Sequence, residues 1–275
     1  MLPELPEVET IRRTLIKLVL HKQIDRVSVF WPKMIKHPEE VEQFKDALIG
    51  QTIVQISRRG KLLIFYTNDY ALVSHLRMEG RYTLFSKNDP VEKHTHVIFH
   101  FSDGTELRYK DVRKFGTMHL YKKGTEFQYP PLNQLGPEPF SDSFTIGSLS
   151  EKLKKTNRKV KTALLDQKIV VGLGNIYVDE ALFRAKIHPE RIANSLTDEE
   201  IERLHREIIE TLSEAVSKGG STVRSYVNSQ GQIGMFQLEH FVYGREGEVC
   251  KICGSPLEKS VVGGRGTHYC ANCQK

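Results

Sequence analysis

The chain has 275 residues, which is enough for a substantial core and more than one ordinary domain. A composition of 39% hydrophobic and 27% charged residues, without repeats or Pro/Gly-rich tracts, excludes wholesale disorder and repeat architectures, and no apolar stretch reaches the ~18 residues of a membrane span. The net charge of +6 and pI near 9.0 suit a polyanionic partner, although a merely basic protein has the same balance.

The first predicted element is a helix that begins after Pro6. Val8, Ile11, Leu15 and Leu18 recur at helical spacing, and proline with acidic neighbours favours a helix start. These acidic residues also argue against a secretory signal, so we expect a cytoplasmic protein.

A β-rich region follows this helix. Asp103-Gly104 and Arg59-Gly60 supply turn signals between short runs typical of strands. The predicted strands are residues 24–30, 52–57, 62–66, 71–76, 97–101, 107–109 and 118–121. Many short strands of this kind indicate a β-sandwich or barrel.

Residues 128–140 contain four prolines, a density that neither a helix nor a central strand tolerates, and we interpret them as part of a linker. Helical periodicity follows. Its clearest case begins with Thr197 and Glu200 as a capping box and ends at Gly219-Gly220. The apolar residues at helical spacing between them are Ile201, Leu204, Ile208, Leu212 and Ala215.

A basic cluster lies near the start of this helical region. Its members are Lys152, Lys154, Lys155, Arg158, Lys159 and Lys161. A solvated helix face usually carries both signs, so the cluster predicts contacts with phosphates.

All four cysteines lie in the last 26 residues, as Cys250-x2-Cys253 and Cys270-x2-Cys273. Two such pairs complete a tetrahedral S4 shell without a spare ligand position, which predicts one structural zinc ion. Four free thiols or two disulfides are the alternatives. His268 is interpreted as a surface or hydrogen-bonding residue.

Two glycine-bearing segments are candidate anion sites. Residues 261–267 predict a hairpin that presents Arg265 to a groove or phosphate, or simply an exposed turn arginine. Residues 172–177, Gly-Leu-Gly-Asn-Ile-Tyr, precede a helical stretch, where free backbone N–H groups favour a phosphate. A glycine helix cap is the commoner explanation of that pattern.

Five motifs together resemble the formamidopyrimidine-DNA glycosylase family. They are residues 3–10 (PELPEVET), 75–80 (HLRMEG), 111–116 (DVRKFG) and 172–179, and the four-cysteine ribbon. The resemblance runs the length of the chain. It implies an α+β multidomain fold: an N-terminal helix and β-sandwich (1–130), a linker (131–150), a helical helix-two-turn-helix domain (151–238) and a zinc finger (239–275).

The resemblance also implies roles for individual residues. The catalytic set is Pro3 as amine nucleophile, Glu4 as acid/base partner, Lys61 near the lesion and its phosphates, and Arg265. The DNA-binding set is His94, Arg113, Asn175, Met78, Phe115 and Arg265, of which Met78, Arg113 and Phe115 fill the gap left by a flipped base. The loop over the extruded purine contains Ser221, Thr222, Val223, Arg224 and Tyr226. As alternatives, Met78 and Phe115 belong to the core and Arg113 is a surface charge.

The implied activity is removal of 8-oxoguanine and formamidopyrimidines from duplex DNA through a proline Schiff base, followed by β,δ-elimination at the abasic site. The implied cofactor is one structural Zn²⁺, the partner is double-stranded DNA with oxidised purines, and the protein is expected to be a monomer of the bacterial cytoplasm and nucleoid, without membrane association.

One departure bears on catalysis. The family begins Met-Pro, whereas here Leu2 stands between Met1 and Pro3, and a Pro3 nitrogen acylated by Leu2 has no lone pair for attack. We expect a mature terminus at Pro3; if Met1-Leu2 is retained, the alternative is a non-catalytic damaged-DNA-binding protein. Two further alternatives are an enzyme resembling endonuclease VIII, which Met78, Arg113 and Phe115 disfavour, and an RNA-binding zinc protein, for which no stacking-aromatic platform is evident.

Overall fold

The computed structural model describes residues 3–221 and 235–275. The described residues divide into two compact units. The β unit contains Pro3 and Glu7–Asn133, and the helical unit contains Glu4–Pro6, Gln134–Ser221 and Met235–Lys275. Within the described ranges, every helix is too short or too polar to cross a membrane.

Nine strands in two sheets form the β unit among the described residues. The strands are β1 (Ile24–Val29), β2 (Ile35–His37), β3 (Gln55–Arg59), β4 (Leu62–Tyr66), β5 (Tyr70–His75), β6 (Arg81–Ser86), β7 (Thr95–Phe101), β8 (Thr105–Lys110) and β9 (Thr117–Lys122). One sheet is antiparallel, with strand order β1-β7-β8-β6. The other has the order β2-β9-β5-β4-β3, in which β2 and β9 are parallel and the other pairs antiparallel.

Helix α1 (Leu5–Val19) supplies one side of the core of this unit. Its residues at helical spacing from Val8 onward are buried together with side chains of both sheets. The Ser74 and Tyr82 hydroxyls, one from each sheet, lie 2.8 Å apart in a buried hydrogen bond. The predicted β-sandwich with a leading helix is therefore confirmed.

Three elements of the β unit were not predicted, of which the shortest is the three-residue strand β2. Helix α2 (Val41–Leu48) buries Phe44 and Leu48, a spacing that the sequence shows only over two turns. Strand β6 begins with Arg81 and lies at a sheet edge, where polar residues weaken the strand pattern.

The helical unit contains α3 (Ile146–Lys154), α4 (Val160–Leu164), α5 (Asn175–Arg184), α6 (Asp198–Ser217) and the hairpin β10 (Glu258–Val262) and β11 (Arg265–Tyr269). The capping box of α6 is confirmed, because Glu200 N donates to Thr197 Oγ1 at 3.2 Å and Thr197 N donates to Glu200 Oε2 at 2.9 Å. A second capping box, between Thr145 and Ser148, starts α3 inside the range predicted as linker. The predicted domain boundaries stay a prediction.

Short 3-10 helices connect these elements. They are Pro32–Met34, Glu126–Gln128 and Leu132–Gln134, then Ala193–Ser195 and Phe236–Glu239.

Candidate functional site

Glu4 is a buried carboxylate at the N-terminus of α5. It is 2% exposed, and it accepts hydrogen bonds from the backbone N–H groups of Gly174 (2.6 Å), Ile176 (2.9 Å) and Tyr177 (3.4 Å). Three donors match an ionised carboxylate, which offers only acceptors, and the positive end of the helix dipole favours the same charge. The helix thus fixes both the position and the orientation of this carboxylate.

The glycines before α5 make room for this N-terminal segment. A Cβ at Gly174 would lie 2.4 Å from Glu4 Cδ, and one at Gly172 would lie 2.5 Å from Leu5 Cδ1. Leu5 N also donates to Gly172 O at 3.0 Å. The prediction that these N–H groups are open to an external phosphate is wrong, because the carboxylate of Glu4 occupies them.

Asn175 contacts the hairpin rather than pointing to solvent. Its Nδ2 donates to Gly266 O at 2.8 Å, and Lys161 Nζ donates to the same oxygen at 3.0 Å. Lys161 is completely buried and pairs with Asp179 Oδ1 at 2.6 Å. This network holds the backbone next to Arg265.

Arg265 is the first residue of β11 and is exposed. Gly263 and Gly264 form the turn before it with φ of +57° and +74°, so the predicted hairpin is confirmed. Burial lowers the pKa of Lys161, whereas the charges of Asp179 and Glu4 raise it and that of Arg265 lowers it. Glu4 and Arg265 are therefore both electrostatic neighbours of this buried amine.

The basic cluster is largely paired within the helical unit. Lys152 donates to the carbonyl oxygens of Lys168 and Ile169, and Lys154 to that of Leu196. The carboxylate partners are Glu151 for Lys155, Asp166 for Arg158, Glu190 for Lys159 and Asp179 for Lys161. For Lys161 the predicted contact with phosphates is wrong, because this side chain is 0% exposed and pairs with Asp179.

The four cysteines form a site for one structural zinc ion. Their Sγ atoms all lie within 4.8 Å of one another, with Cys250 to Cys273 at 3.9 Å and Cys253 to Cys270 at 3.6 Å. Zn–S bonds of about 2.3 Å in a tetrahedron require sulfur separations of about 3.8 Å, whereas a disulfide requires about 2.0 Å. The residues therefore fit zinc and not two disulfides.

His268, next to this site, is buried, and its ring Nδ1 has no hydrogen-bond partner among the described residues. It is 8% exposed, and its backbone N–H donates to Asp179 Oδ2 at 2.9 Å. Asp179 thus binds both Lys161 and the second strand of the hairpin.

In the β unit, Met78, Arg113 and Phe115 form a cluster that we call the gap-filling triad, after the role that the family resemblance implies for it. Arg113 Nη1 lies 3.0 Å from Met78 Sδ, and the guanidinium carbon lies 4.9 Å from the centre of the Phe115 ring. Phe115 is 50% exposed, which argues against a core role. Arg113 therefore contacts both other side chains in the protein without DNA.

The loop that carries Arg113 and Phe115, residues 111–116, is held by a buried carboxylate. Asp111 is 0% exposed and accepts from Arg113 N at 3.0 Å and Gly116 N at 2.8 Å. Asp111 N donates to the carbonyl oxygen of His94, whose φ is +69°. His94 is therefore fixed beside this Arg113 loop.

Lys61 lies in the turn between β3 and β4 and is 8% exposed. Its charge acts on His75: burial and, to a smaller extent, the charges of Arg77 and Lys61 together lower the pKa of His75 to about 3. The neutral imidazole accepts a hydrogen bond from Arg77 N at 2.9 Å. This bond supports Arg77 at φ +56° in the turn that leads to Met78.

Pro3 and the first residue of the loop predicted to lie over the extruded purine are the last predicted site residues that the structure describes. Pro3 is buried and directly precedes Glu4 in the chain. Ser221 is buried, and its Oγ lies 3.2 Å from the Tyr177 hydroxyl and 3.0 Å from His240 Nε2. Thr222, Val223, Arg224 and Tyr226 lie outside the described residues.

Sequence reasoning assigned no role to Asp111 or Asp179. Asp111 could have been identified from the sequence, because an aspartate at the start of a turn commonly binds the backbone of that turn. Asp179 could not have been identified in this way, because its partners Lys161 and His268 lie 18 and 89 residues away.

Three family models match the chain. The formamidopyrimidine-DNA glycosylase N-terminal domain covers residues 2–118, the H2TH domain of that glycosylase covers 135–227, and the zinc finger found in FPG and IleRS covers 247–275. The three matches fall in the β unit, in the helices of the helical unit and in the region of the four cysteines.

Curated relatives and solved structures agree with these family models. The chain is 67% identical over 274 residues to the formamidopyrimidine-DNA glycosylase of Bacillus licheniformis, covering 100% of both chains, and 63% identical over 273 residues to that of Bacillus subtilis, covering 99% of both. The structure of wild-type Lactococcus lactis Fpg with DNA containing N7-benzyl-Fapy-dG is similar at a TM-score of 0.92 and 46% identity, covering 99% of this chain and 100% of that one. A complex of the same protein with DNA containing an abasic site gives a TM-score of 0.92 and 46% identity, covering 99% of both chains.

Proposed function

Because the chain belongs to the formamidopyrimidine-DNA glycosylase family and is a DNA glycosylase of base-excision repair, we propose that it removes oxidised purines from duplex DNA and then cleaves the strand. The observation that carries this proposal is the carboxylate of Glu4, buried and fixed by three backbone N–H groups directly after Pro3. A preorganised acid/base group beside a candidate amine nucleophile is what this chemistry requires.

The nucleophile is the secondary amine of Pro3 in a chain that begins there. Its lone pair attacks C1′ of the damaged nucleotide, the glycosidic bond breaks, and the base leaves with the bonding electrons and takes up a proton. Glu4 transfers protons as the sugar ring opens and an iminium ion forms between the Pro3 nitrogen and C1′. An α-amino group titrates near pH ~8, so a useful fraction is unprotonated at neutral pH.

Strand cleavage follows from the same intermediate. The iminium nitrogen of a proline has no proton to lose, so its positive charge persists and acidifies the C2′ hydrogens. Loss of one such proton expels the 3′ phosphate, and a second elimination expels the 5′ phosphate. One covalent intermediate thereby serves both base removal and β,δ-elimination.

The remaining site residues bind and distort the duplex. A base inside the helix is extruded at a cost of a few kcal/mol, and the gap-filling triad takes its place. Arg265, Asn175 and His94 contact phosphates or the duplex, and Asn175 also holds the hairpin that carries Arg265. Lys61 acts near the lesion and its phosphates, and the loop that begins at Ser221 contacts the extruded purine.

The cellular setting of the protein is inferred from its relatives and its substrate. The similar proteins named above are bacterial and DNA is the substrate, which supports action on the nucleoid in the cytoplasm, and we propose that the protein acts there as a monomer.

Borohydride trapping tests this function. Protein starting at Pro3 is mixed with duplexes containing 8-oxoguanine, an oxidised pyrimidine or no lesion, and borohydride reduces any imine to a stable adduct. We expect an adduct and strand nicks with 8-oxoguanine. Binding without an adduct would instead indicate a damage sensor, and preference for the pyrimidine would indicate the specificity of endonuclease VIII.

A further inference from the structure

The hydroxyl of Tyr109, on β8, is buried between two loops of the β unit. Tyr109 is 0% exposed, and its Oη has no hydrogen-bond partner among the described residues. A Cβ added at Gly80 would lie 2.1 Å from this oxygen, and one added at Gly116 would lie 1.8 Å from it. Both backbones therefore contact the oxygen closely enough that only glycine fits.

The two glycines end the two segments that carry the gap-filling triad. Gly80 N donates to Leu76 O at 3.0 Å and closes the Met78 turn, residues 76–80. Gly116 N donates to Asp111 Oδ2 at 2.8 Å and closes the Arg113 loop. The Tyr109 hydroxyl oxygen thus lies between Gly80, the last residue of the Met78 turn, and Gly116, the last residue of the Arg113 loop.

A buried hydroxyl without a partner is costly, and such groups are rare in native proteins. The neighbouring Tyr82 shows the ordinary arrangement: it is 1% exposed, and its hydroxyl lies 2.8 Å from Ser74 Oγ. The rings of Tyr82 and Tyr109 pack edge to face at 5.0 Å. The same core therefore holds one satisfied and one unsatisfied phenol, and phenylalanine in place of Tyr109 would avoid the cost.

We propose that Tyr109 is a positioning residue for the gap-filling triad, because its hydroxyl sets the spacing between the Met78 turn and the Arg113 loop. With this spacing, Arg113 contacts both Met78 and Phe115 before any DNA is bound. Assembly in advance lowers the ordering cost when the three side chains enter the duplex together. The inference rests on the proposed role of the triad in filling the gap.

Tyr109→Phe tests the inference, with Tyr82→Phe as the matched control. Three quantities are measured for each variant: single-turnover excision of 8-oxoguanine, nicking of a preformed abasic site, and Tm. The fluorescence of 2-aminopurine opposite an abasic analogue reports insertion of the triad without any cleavage.

For Tyr109→Phe we expect excision to fall about tenfold because the triad is misplaced. Nicking should fall much less, since an abasic site has no base to unstack. The Tm should stay unchanged or rise by about 2 °C, because an unpaired buried hydroxyl is removed. Tyr82→Phe should have the opposite pattern. Its Tm should fall because the hydrogen bond to Ser74 is lost, and its excision should stay at the wild-type rate.

Wild-type excision and an unchanged 2-aminopurine signal in Tyr109→Phe would overturn the inference. A fall in excision and nicking in equal proportion, together with a lower Tm, would overturn it as well, because it would make the hydroxyl a purely structural group. If wild-type protein inserts the triad but excises nothing, the proposed function fails, and the fluorescence of the two variants still decides the inference.

Discussion

Two glycine-bearing segments of the helical unit look alike in sequence and differ in the structure. In residues 172–174 the glycines admit Leu5 and Glu4, and the N–H groups at the start of α5 bind the protein's own carboxylate. In residues 263–265 the glycines form a positive-φ turn, and Arg265 remains exposed. A glycine before a helix can therefore make room for an internal anion, whereas Arg265 on the hairpin remains an exposed cation.

The largest expected effect concerns the internal carboxylate. Glu4→Gln leaves an amide N–H₂ facing backbone donors and removes the acid/base group, so the single-turnover excision rate should fall by about 10²–10⁴. Rapid-quench measurement at saturating enzyme checks this rate.

Glu180 provides a matched control for Glu4. It is 0% exposed and accepts hydrogen bonds from the backbone N–H groups of Phe241, Val242 and Tyr243 at 2.8 to 3.0 Å. Glu180→Gln should lower Tm about as much as Glu4→Gln and leave the saturated rate unchanged. Equal loss of rate in both variants would mean that Glu4 acts only through stability.

Gly174→Ala tests the close approach itself. The added Cβ would meet Glu4 Cδ at 2.4 Å and displace the carboxylate, so we expect excision to fall by about 10². Gly264→Ala is the comparison, because no atom lies within 4 Å of its Cβ and only its φ of +74° makes alanine unfavourable. It should weaken DNA binding modestly and spare the chemical step; an equal loss of the chemical step in both variants would refute the difference between the two segments.

Removal of zinc should affect residues 263–265 on the hairpin and leave residues 172–174 unchanged. A strong chelator releases the two cysteine pairs, and because metal binding is coupled to local folding, the hairpin should lose its structure. We expect duplex affinity to fall by more than tenfold, as measured by fluorescence anisotropy with zinc content determined in parallel. Full affinity in metal-free protein would contradict a DNA-binding role for the hairpin.

Arg265→Ala should have the smallest effect of the four changes. Loss of one charge-assisted contact should weaken binding about tenfold for damaged and undamaged duplexes alike and reduce the salt slope by about 1. Lys259→Ala on the same hairpin should do less, because Lys259 Nζ is paired with Glu246 at 2.9 Å. A loss confined to one lesion would exclude a phosphate contact.

Features with local signals were predictable from the sequence. The capping box and terminal glycines bound α6 correctly, and the spacing of the cysteines indicated the zinc site that the sulfur distances now support. The hairpin turn before Arg265 also followed from adjacent glycines. The determining residues of the helix ends and of the turn lie within a few positions of one another, and so do the two members of each cysteine pair.

Features set by distant partners were not predictable. Lys161 belongs to a basic run, yet its acceptors Asp179 and Gly266 lie 18 and 105 residues away and bury it. The donor of Gly174 and the carboxylate of Glu4 are 170 residues apart, so the sequence shows a glycine before a helix and not the carboxylate that occupies it. Helix α2 was missed because eight residues provide too short a periodic pattern within a β-rich region.

Peptide mapping of the borohydride-trapped adduct tests the central claim most directly. Homogeneous protein starting at Pro3 and protein retaining Met1-Leu2, each confirmed by intact mass, are trapped on 8-oxoguanine DNA and digested. The account predicts one modified peptide, bearing the sugar on the Pro3 nitrogen, in the first protein and none in the second. Trapping of the second protein at an undiminished rate, with the sugar on Lys61 or another residue, would contradict it.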